Sequence, residues 1–528
     1  MSNSRDTLQV APDLIDAFTE IARRNPQRPA IVQQGRALSY GRLDELAKAL
    51  ATRLGPNPGT VAVPAVHTAE TVVALLGVLT AGGGYCPVDP AFPVDRRLAM
   101  AAAAECRTAV VGECRPATAC ETSLIPRPGL RLVELALFTE LTGDTGDPPG
   151  TPPPDRPDTG PEQPAYILFT SGSTGQPKPV VTPRRAAAAT AHSLRGLFGL
   201  TPEDRVLQFA SLNWDTCFEE ILPTLTTGAT LVLDPDAHRG SFPRFLRTVE
   251  RERITVLDLP TAFWHELVLH LVEERAQLPA SLRLLVIGGE AANPARLADW
   301  AGLDTGRIRL LNTYGCTETT QITHAVDLYG PLAPGRHWDG TTPAPIGRAL
   351  PHVVEHIDEQ GELTIGGPAV ALGYRGLPEA TAARFGTVRG VRFFRTGDRV
   401  SRDPDGVLVH RGRLDGEVKV RGVRVDPAEV EAHLGAHPDV TAAAVTAATL
   451  AGRTALVAYV VARPQATAEG LDGALLAHLR ARVPGHLVPS RITLVPRLVL
   501  TPSGKVDRAG CHLRYAAPDR SKETSVEH

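Results

Sequence analysis

Apolar positions recur at helical spacing near the start of the chain. Leu14, Ala17, Phe18 and Ile21 share one face, Asp13 stands where a helix cap is wanted, and Pro26 closes the segment. A second amphipathic helix fits Arg42–Leu54. Beyond it the spacing changes. Short Val, Ile and Leu runs at Thr60–Val63, Thr108–Val111, Ala165–Phe169, Arg205–Phe209, Ala229–Leu233, Thr255–Leu257, Leu282–Ile287 and Ile308–Leu311 alternate with helical stretches such as Ala69–Leu79. Strands covered on both faces read as continuous apolar runs, so this alternation predicts α/β layers on parallel sheets. Gly143–Pro164 is a Pro/Gly/Asp tract that cannot pack and predicts an exposed loop. After Thr364 the strands shorten and turns multiply. Glu417–Val425 predicts a strand pair around Gly422, and Asp426-Pro427 supplies an N-cap with proline at the first helical position. A strand at Thr454–Ala462 and a helix at Leu471–Arg482 complete a separate small α+β domain.

Composition narrows the class. The 528 residues are 43% hydrophobic and 21% charged, enough for about three to four compact units. No run reaches the roughly 20 apolar residues of a membrane span, and Met1–Pro12 lacks the apolar stretch of a secretory signal. A net charge of −3 gives no electrostatic reason to expect nucleic acid. The seven cysteines are scattered without a CxxC pair, which argues against zinc and for buried thiols in a reduced cytoplasm. Lys and Arg number 55, yet the lysines are only Lys48, Lys178, Lys419, Lys505 and Lys522. Three of them, Lys178, Lys419 and Lys505, fall in or beside glycine-containing segments. A lysine ammonium is a compact charge on a flexible stem, suited to reaching a phosphate or carboxylate.

The segment with the most chemistry is YILFTSGSTGQPK, Tyr166–Lys178. An apolar strand runs straight into a loop of hydroxyls and glycines, whose N–H and O–H donors suit phosphate oxygens. The spacing of a Walker A loop is absent. This loop resembles the signature of the adenylate-forming superfamily, which holds acyl-CoA synthetases, luciferases and the adenylation domains of nonribosomal peptide synthetases. LSYGRLDEL (38–46), LTAGGGYCPVDP (79–90), NWDTCFEEILPTL (213–225), NTYGCTETT (312–320), GELTIGGPAVALGY (361–374), FRTGD (394–398), GRLDGEVKVRGVRVDPAEVE (412–431), VPGHLVP (483–489) and PSGKVDR (502–508) agree with it in order. The amino-acid-activating branch fits best, because NWDTCFEE resembles its F-D-x-S pattern. The resemblance implies an α/β fold: a large N-terminal domain (1–412) of α/β layers plus a β-barrel-like subdomain, a hinge (413–416) and a small mobile α+β C-terminal domain (417–528).

By the same resemblance, Thr170, Ser171, Gly172, Ser173, Thr174, Gly175 and Lys178 would hold the β- and γ-phosphates of ATP. Asn312, Thr313, Tyr314, Gly315 and Thr317 would frame adenine and the α-phosphate. Glu318 would bind Mg2+, Asp398 the ribose hydroxyls, and Arg413 would lie near ribose or phosphate. Asp415 would be the hinge. Lys505 would bridge the substrate carboxylate and ribose during adenylation. Lys419 and Gly422 would belong to the face used in the second half-reaction. Pro179 after the signature lysine, Arg399 and Cys316 depart from the usual pattern without removing a functional group.

The substrate pocket would be lined by Asp215, Thr216, Glu219, Asp258, Val286, Gly288, Thr313, Gln321 and Ile322, with Lys505 at the carboxylate. Asp215 would take the substrate ammonium. Asp215 and Glu219 are four apart and share a face if helical, and Asp258 interrupts an apolar strand. Singly, these acids read as an N-cap, a solvated helix face and a turn. Together they call for a second ammonium: lysine, ornithine or β-lysine, the set resembling β-lysine-activating domains most. No carrier domain follows Lys505, so the expected partner is a phosphopantetheine carrier protein in trans, with room for a small helper protein. The competing readings are an acyl-CoA synthetase, which would show an apolar pocket, and a catalytically silent binding module.

Overall fold

The computed structural model describes residues 11–112, 125, 129–135, 157–171, 177–333, 335, 338–388, 390–414, 417–420, 422–450, 453–467, 469–500 and 506–516. These divide into two compact units, one drawn from residues 1–170 and 178–415, the other from 171–177 and 416–528. Of the tract at 143–164, residues 143–156 lie outside the described set, and Pro164 opens a strand.

Two large sheets organise the first unit. In the nine-stranded sheet, Leu284–Gly288 lies between Val256–Pro260 and Arg309–Gly315, all parallel. Arg205–Leu207, Thr230–Leu233 and Pro29–Gln33 extend the parallel run. Ile322–Tyr329 turns antiparallel on the opposite side. The seven-stranded sheet carries Gly84–Val88, Thr60–Pro64, Thr108–Gly112 and Arg131–Leu135 in parallel beside the antiparallel pair Pro164–Thr170 and Lys178–Pro183. Helices Leu14–Arg24, Tyr40–Leu54 and Ala69–Thr80 bury Phe18, Leu43, Leu50 and Leu76 in one core with Ile221 and Leu225. A five-stranded antiparallel sheet, including Glu362–Gly366, Val391–Arg402 and Leu408–Arg413, forms the β-rich part of this unit.

Local chemistry explains where elements begin and end. Asp13 Oδ1 accepts from the Ile15 N–H at 2.9 Å as the predicted cap, and its carboxylate also takes the Arg184 guanidinium at 2.9 and 3.0 Å. Ser39 caps the second helix, which starts at Tyr40 rather than Arg42. The strand expected to reach Phe209 stops at Leu207. Gln208 N–H still donates to Val232 O at 2.8 Å, but the N–H groups of Phe209 and Ala210 beyond it donate to the Glu220 carboxylate at 2.9 and 3.0 Å. A side-chain acceptor there removes them from the sheet ladder.

In the second unit, Val440–Leu450 and Arg453–Ala462 pair antiparallel, and Arg491–Leu494 joins in parallel. Helices Pro427–Gly435 and Leu471–Arg480 bury Val430, Leu434, Leu475 and Leu479 with Val445 and Leu456. The Asp426 cap with Pro427 inside the first turn is as the sequence predicts. Arg508 forks onto Glu431 through two 2.7 Å hydrogen bonds, tying helix Arg508–Tyr515 down.

Among the described residues no helix is long and apolar enough to cross a membrane. Asp204, 3% exposed, accepts from Arg283 (2.8 and 2.7 Å), Thr201 N–H (2.8 Å) and Thr255 Oγ1 (2.7 Å). Burial pushes this carboxyl up, but Arg283, Thr201 and Thr255 together hold it below its ordinary value. Asp204→Ala is therefore expected to lower unfolding free energy by about 2–3 kcal/mol in urea titrations at neutral pH. A depressed carboxylate stabilises above its unfolded pKa, so the gap between variant and wild type should narrow below about pH 4.

Candidate active site

The predicted pocket residues come from one end of the nine-stranded sheet and from helix Thr216–Leu225. Asp258 pairs with Val286, and Val286 with Leu311. Two residues on, Pro260 pairs with Gly288 and Gly288 with Thr313. These are the carboxyl ends of parallel strands, where open α/β sheets bind ligands. Gly288 lets Thr313 close in, because a Cβ there would meet Thr313 Oγ1 at 2.5 Å. Thr313 Oγ1 itself donates to Ile287 O at 3.0 Å.

The three acids do not adopt their ordinary roles. Asp215 occupies the N-cap position but makes no capping hydrogen bond. Glu219 is 7% exposed rather than on a solvated face, and Asp258 is 4% exposed within a strand rather than in a turn. Burial pushes Asp215 up to about 6, with Thr317 opposing and Glu318 reinforcing. Burial, then the negative charges of Asp258 and Asp215, push Glu219 well above the carboxylate range. Burial raises Asp258 to about 7, against a hydrogen bond from Glu219. Among the described residues no Lys, Arg or His forms an ion pair with any of the three, and Asp258 Oδ2 has no hydrogen-bond partner when both groups are carboxylates.

Glu220, the neighbouring acid, was not singled out by sequence reasoning; the doubled glutamate was its only signal. It is 1% exposed and accepts from Phe209 N–H, Ala210 N–H and Gln208 Nε2 (3.0 Å), so it is an anchor for residues 208–210, upstream of Asp215. Tyr166 is a second missed residue. Its ring lies 4.3 Å from that of Phe218 on the same helix, and its hydroxyl accepts from Gln321 Nε2 at 3.3 Å.

The NTYGCTETT segment makes a sharp bend. Gly315 packs so closely on the returning chain that a Cβ would lie 1.7 Å from Gln321 O. Thr320 and Gln321 both have positive φ, 58° and 70°, a costly backbone for side-chain-bearing residues. Thr320 is locked by its Oγ1 on Ala369 O (2.6 Å) and by Thr190 Oγ1 on its own carbonyl (3.1 Å). The bend brings Glu318, 1% exposed, under the Tyr374 hydroxyl, which donates to Oε1 at 2.8 Å. Lys178 Nζ lies 5.8 Å over the same Tyr374 ring. Thr170 is the register partner of Lys178, so the two flank the signature loop. Asn312 donates to Pro345 O at 2.7 Å while its buried Oδ1 has no partner. Asp398, 3% exposed, accepts from Tyr314 (2.5 Å), Arg413 Nη1 (2.7 Å) and His410 Nε2 (3.2 Å). Ile322 and Val286 are buried, and Thr216 and Thr317 are half-buried.

Gly172, Ser173, Thr174, Gly175, Asp415 and Lys505 lie outside the described residues. Ser171 is described at the loop entrance. In the small unit, Lys419 sits in the hairpin Val418–Val420 and Val423–Val425, with Gly422 at its turn.

The profile of the AMP-binding enzyme family matches residues 18–375, and that of the AMP-binding enzyme C-terminal domain matches residues 429–505. An isonitrile lipopeptide synthase of Streptomyces coeruleorubidus is 41% identical over 93% of this chain, which spans only 32% of that protein. Novobiocin biosynthesis protein H of Streptomyces niveus is 34% identical, over 94% of this chain and 82% of its own. Among solved structures, an artificially fused adenylation–PCP di-domain from Klebsiella oxytoca superimposes with a TM-score of 0.76 at 26% identity, covering 92% of this chain and 94% of its own.

The acid pair has a stability consequence. A carboxyl raised by burial destabilises the folded state once pH exceeds its unfolded value of about 4, and most fully above its folded value. Asp258→Asn should therefore raise the melting temperature of the ligand-free protein at pH 8, by about 1 °C for each kcal/mol relieved in a unit of this size. The gain should shrink steadily as pH falls from 7 towards 4; differential scanning calorimetry across that range checks it.

Proposed function

The chain belongs to the AMP-binding enzyme family, the adenylate-forming ligases, and on that footing we propose that it activates a basic diamino acid and loads it onto a separate carrier protein. β-Lysine is the first candidate, then lysine or ornithine. The substrate carboxylate attacks the α-phosphorus of ATP in line; the new O–P bond forms as the bond to pyrophosphate breaks. The carrier's phosphopantetheine thiol then attacks the acyl carbon, and AMP leaves.

Two anions must meet in the first step, so catalysis is positioning and charge neutralisation. In this reading Thr170, Ser171, Gly172, Ser173, Thr174, Gly175 and Lys178 hold the outer phosphates. Lys505 neutralises the substrate carboxylate, and Asp398 and Arg413 take the ribose side. The orphaned Asn312 Oδ1 supports an adenine amino group beside it. A buried carboxylate is a hard oxygen donor of the kind Mg2+ prefers, which supports Glu318 as its ligand. Mg2+ there would supply charge neutralisation to the phosphates.

The substrate class rests on one observation: Asp215, Glu219 and Asp258 converge with no basic residue of the described set paired to them. An acyl-CoA synthetase has no use for three acids around an acyl group. Removing one ammonium from the ligand leaves a buried carboxylate unpaired, at about 3–5 kcal/mol. In a pyrophosphate-exchange panel, lysine-like amino acids should therefore exceed leucine and norleucine by roughly 10²-fold or more. A neutral or aromatic amino acid winning the panel would refute the substrate class and leave adenylation standing.

The two half-reactions separate by lysine. Lys505→Ala should abolish most pyrophosphate exchange with the large unit still folded by circular dichroism and proteolysis. Lys419→Ala should spare exchange and slow acylation of a phosphopantetheinylated carrier, read by intact mass. Exchange crippled equally by both would count against the division of labour.

A further inference from the structure

Glu219 and Asp258, on helix Thr216–Leu225 and strand Val256–Pro260 and both almost fully buried, lie within hydrogen-bonding reach of each other. As two carboxylates neither can donate, and Asp258 Oδ2 is left without a partner. The contact between them becomes a hydrogen bond only when one carboxyl carries a proton. Among the described residues nothing nearby offers a substitute. The described groups facing the pair are Asp215, Cys217 and Glu220, all acidic or neutral, and Glu220 is already engaged by two backbone N–H groups and Gln208. Among the described residues no cluster of His, Cys, Asp and Glu is arranged to hold a metal ion.

We propose that the ligand-free pocket holds one proton between Glu219 and Asp258, and that the distal ammonium of a basic substrate displaces that proton to solvent. This rests on the basic-substrate reading above and adds how the site discriminates. The exchange keeps the pocket's charge constant: a shared proton leaves two carboxyls with one net negative charge, and two carboxylates with one ammonium carry the same. The ammonium brings three N–H donors where the proton made one bridge. A neutral side chain of equal length cannot displace the proton, and it meets an unpaired second carboxylate whenever the pH strips the proton away. Selectivity for the basic substrate is thereby coupled to pH. Burial, which raises both carboxyls, places the proton within reach of neutral solution.

The test uses the full-length protein and two acyl-sulfamoyladenosine ligands, one carrying lysine and one norleucine. Calorimetric titrations at about pH 6 in buffers of different ionisation enthalpy give the number of protons exchanged. About one proton should be released more with the lysine ligand than with the norleucine ligand, and the ratio of their affinities should rise up to about ten-fold per pH unit through the titration of the pair. Lysine-ligand binding that is tighter at every pH with no extra proton released overturns the exchange and leaves the basic substrate intact. A lysine ligand no tighter than the norleucine ligand at any pH overturns both. Infrared difference spectra give a readout independent of affinity. One protonated-carboxyl band of the ligand-free protein should be lost on adding the lysine ligand, and in Asp258→Asn, where Glu219 is still raised by burial and holds its proton alone, that band should shift in frequency even if the variant binds nothing. A band that keeps its frequency in Asp258→Asn and survives lysine-ligand binding counts against the shared proton.

Discussion

Carboxyl groups buried without a basic partner are the constraint around which the pocket is arranged. Glu219 and Asp258 sit at 7% and 4% exposure, and an ionised acid so placed is costly unless a cation reaches it. The fold does not supply that cation from the described residues, so the deficit is available to a ligand. Such burial costs folding stability. The acids stay buried because helix Thr216–Leu225 and strand Val256–Pro260 are each held by contacts that do not involve them: Phe218 packs on Tyr166, and Leu257 and Leu259 are buried in the neighbouring core.

Rigidity around the pocket comes from a second group of polar contacts. Glu220 lies one residue from Glu219, yet its carboxylate is spent on backbone N–H groups of 209 and 210. Adjacent positions on a helix point about 100° apart, so Glu220 can anchor the backbone while Glu219 turns to Asp258. Thr320 and Gln321 hold a strained backbone that aims Glu318 towards Tyr374 and Gln321 towards Tyr166. Such strain persists where neighbours over-determine it, as Ala369 and Thr190 do here. Asp398 is fixed in the same manner from three directions, by Tyr314, Arg413 and His410. A side chain restrained before its ligand arrives loses less freedom on binding.

Much of this was legible in the linear chain. The strand-fed loop after Phe169, the Asp13 and Asp426 caps, the alternation of apolar runs with helices and the separate C-terminal α+β unit all follow from local patterns, and local patterns are set by residues close in sequence. The acids Asp215, Glu219 and Asp258 could be named as a group only through resemblance to the family, since 39 positions separate Glu219 from Asp258. What the sequence could not decide was their state. An N-cap, a solvated face and a turn were each adequate for one acid alone; only the packing of helix Thr216–Leu225 against strand Val256–Pro260 brings Glu219 to Asp258. Glu220 and Tyr166 stayed hidden because their partners, the 209–210 backbone and Gln321, are chosen by tertiary packing. Spacing along the chain determined which elements form. The meeting of strands and helices distant in sequence decided which polar groups lose water, and loss of water is what raises the carboxyls of Glu219 and Asp258.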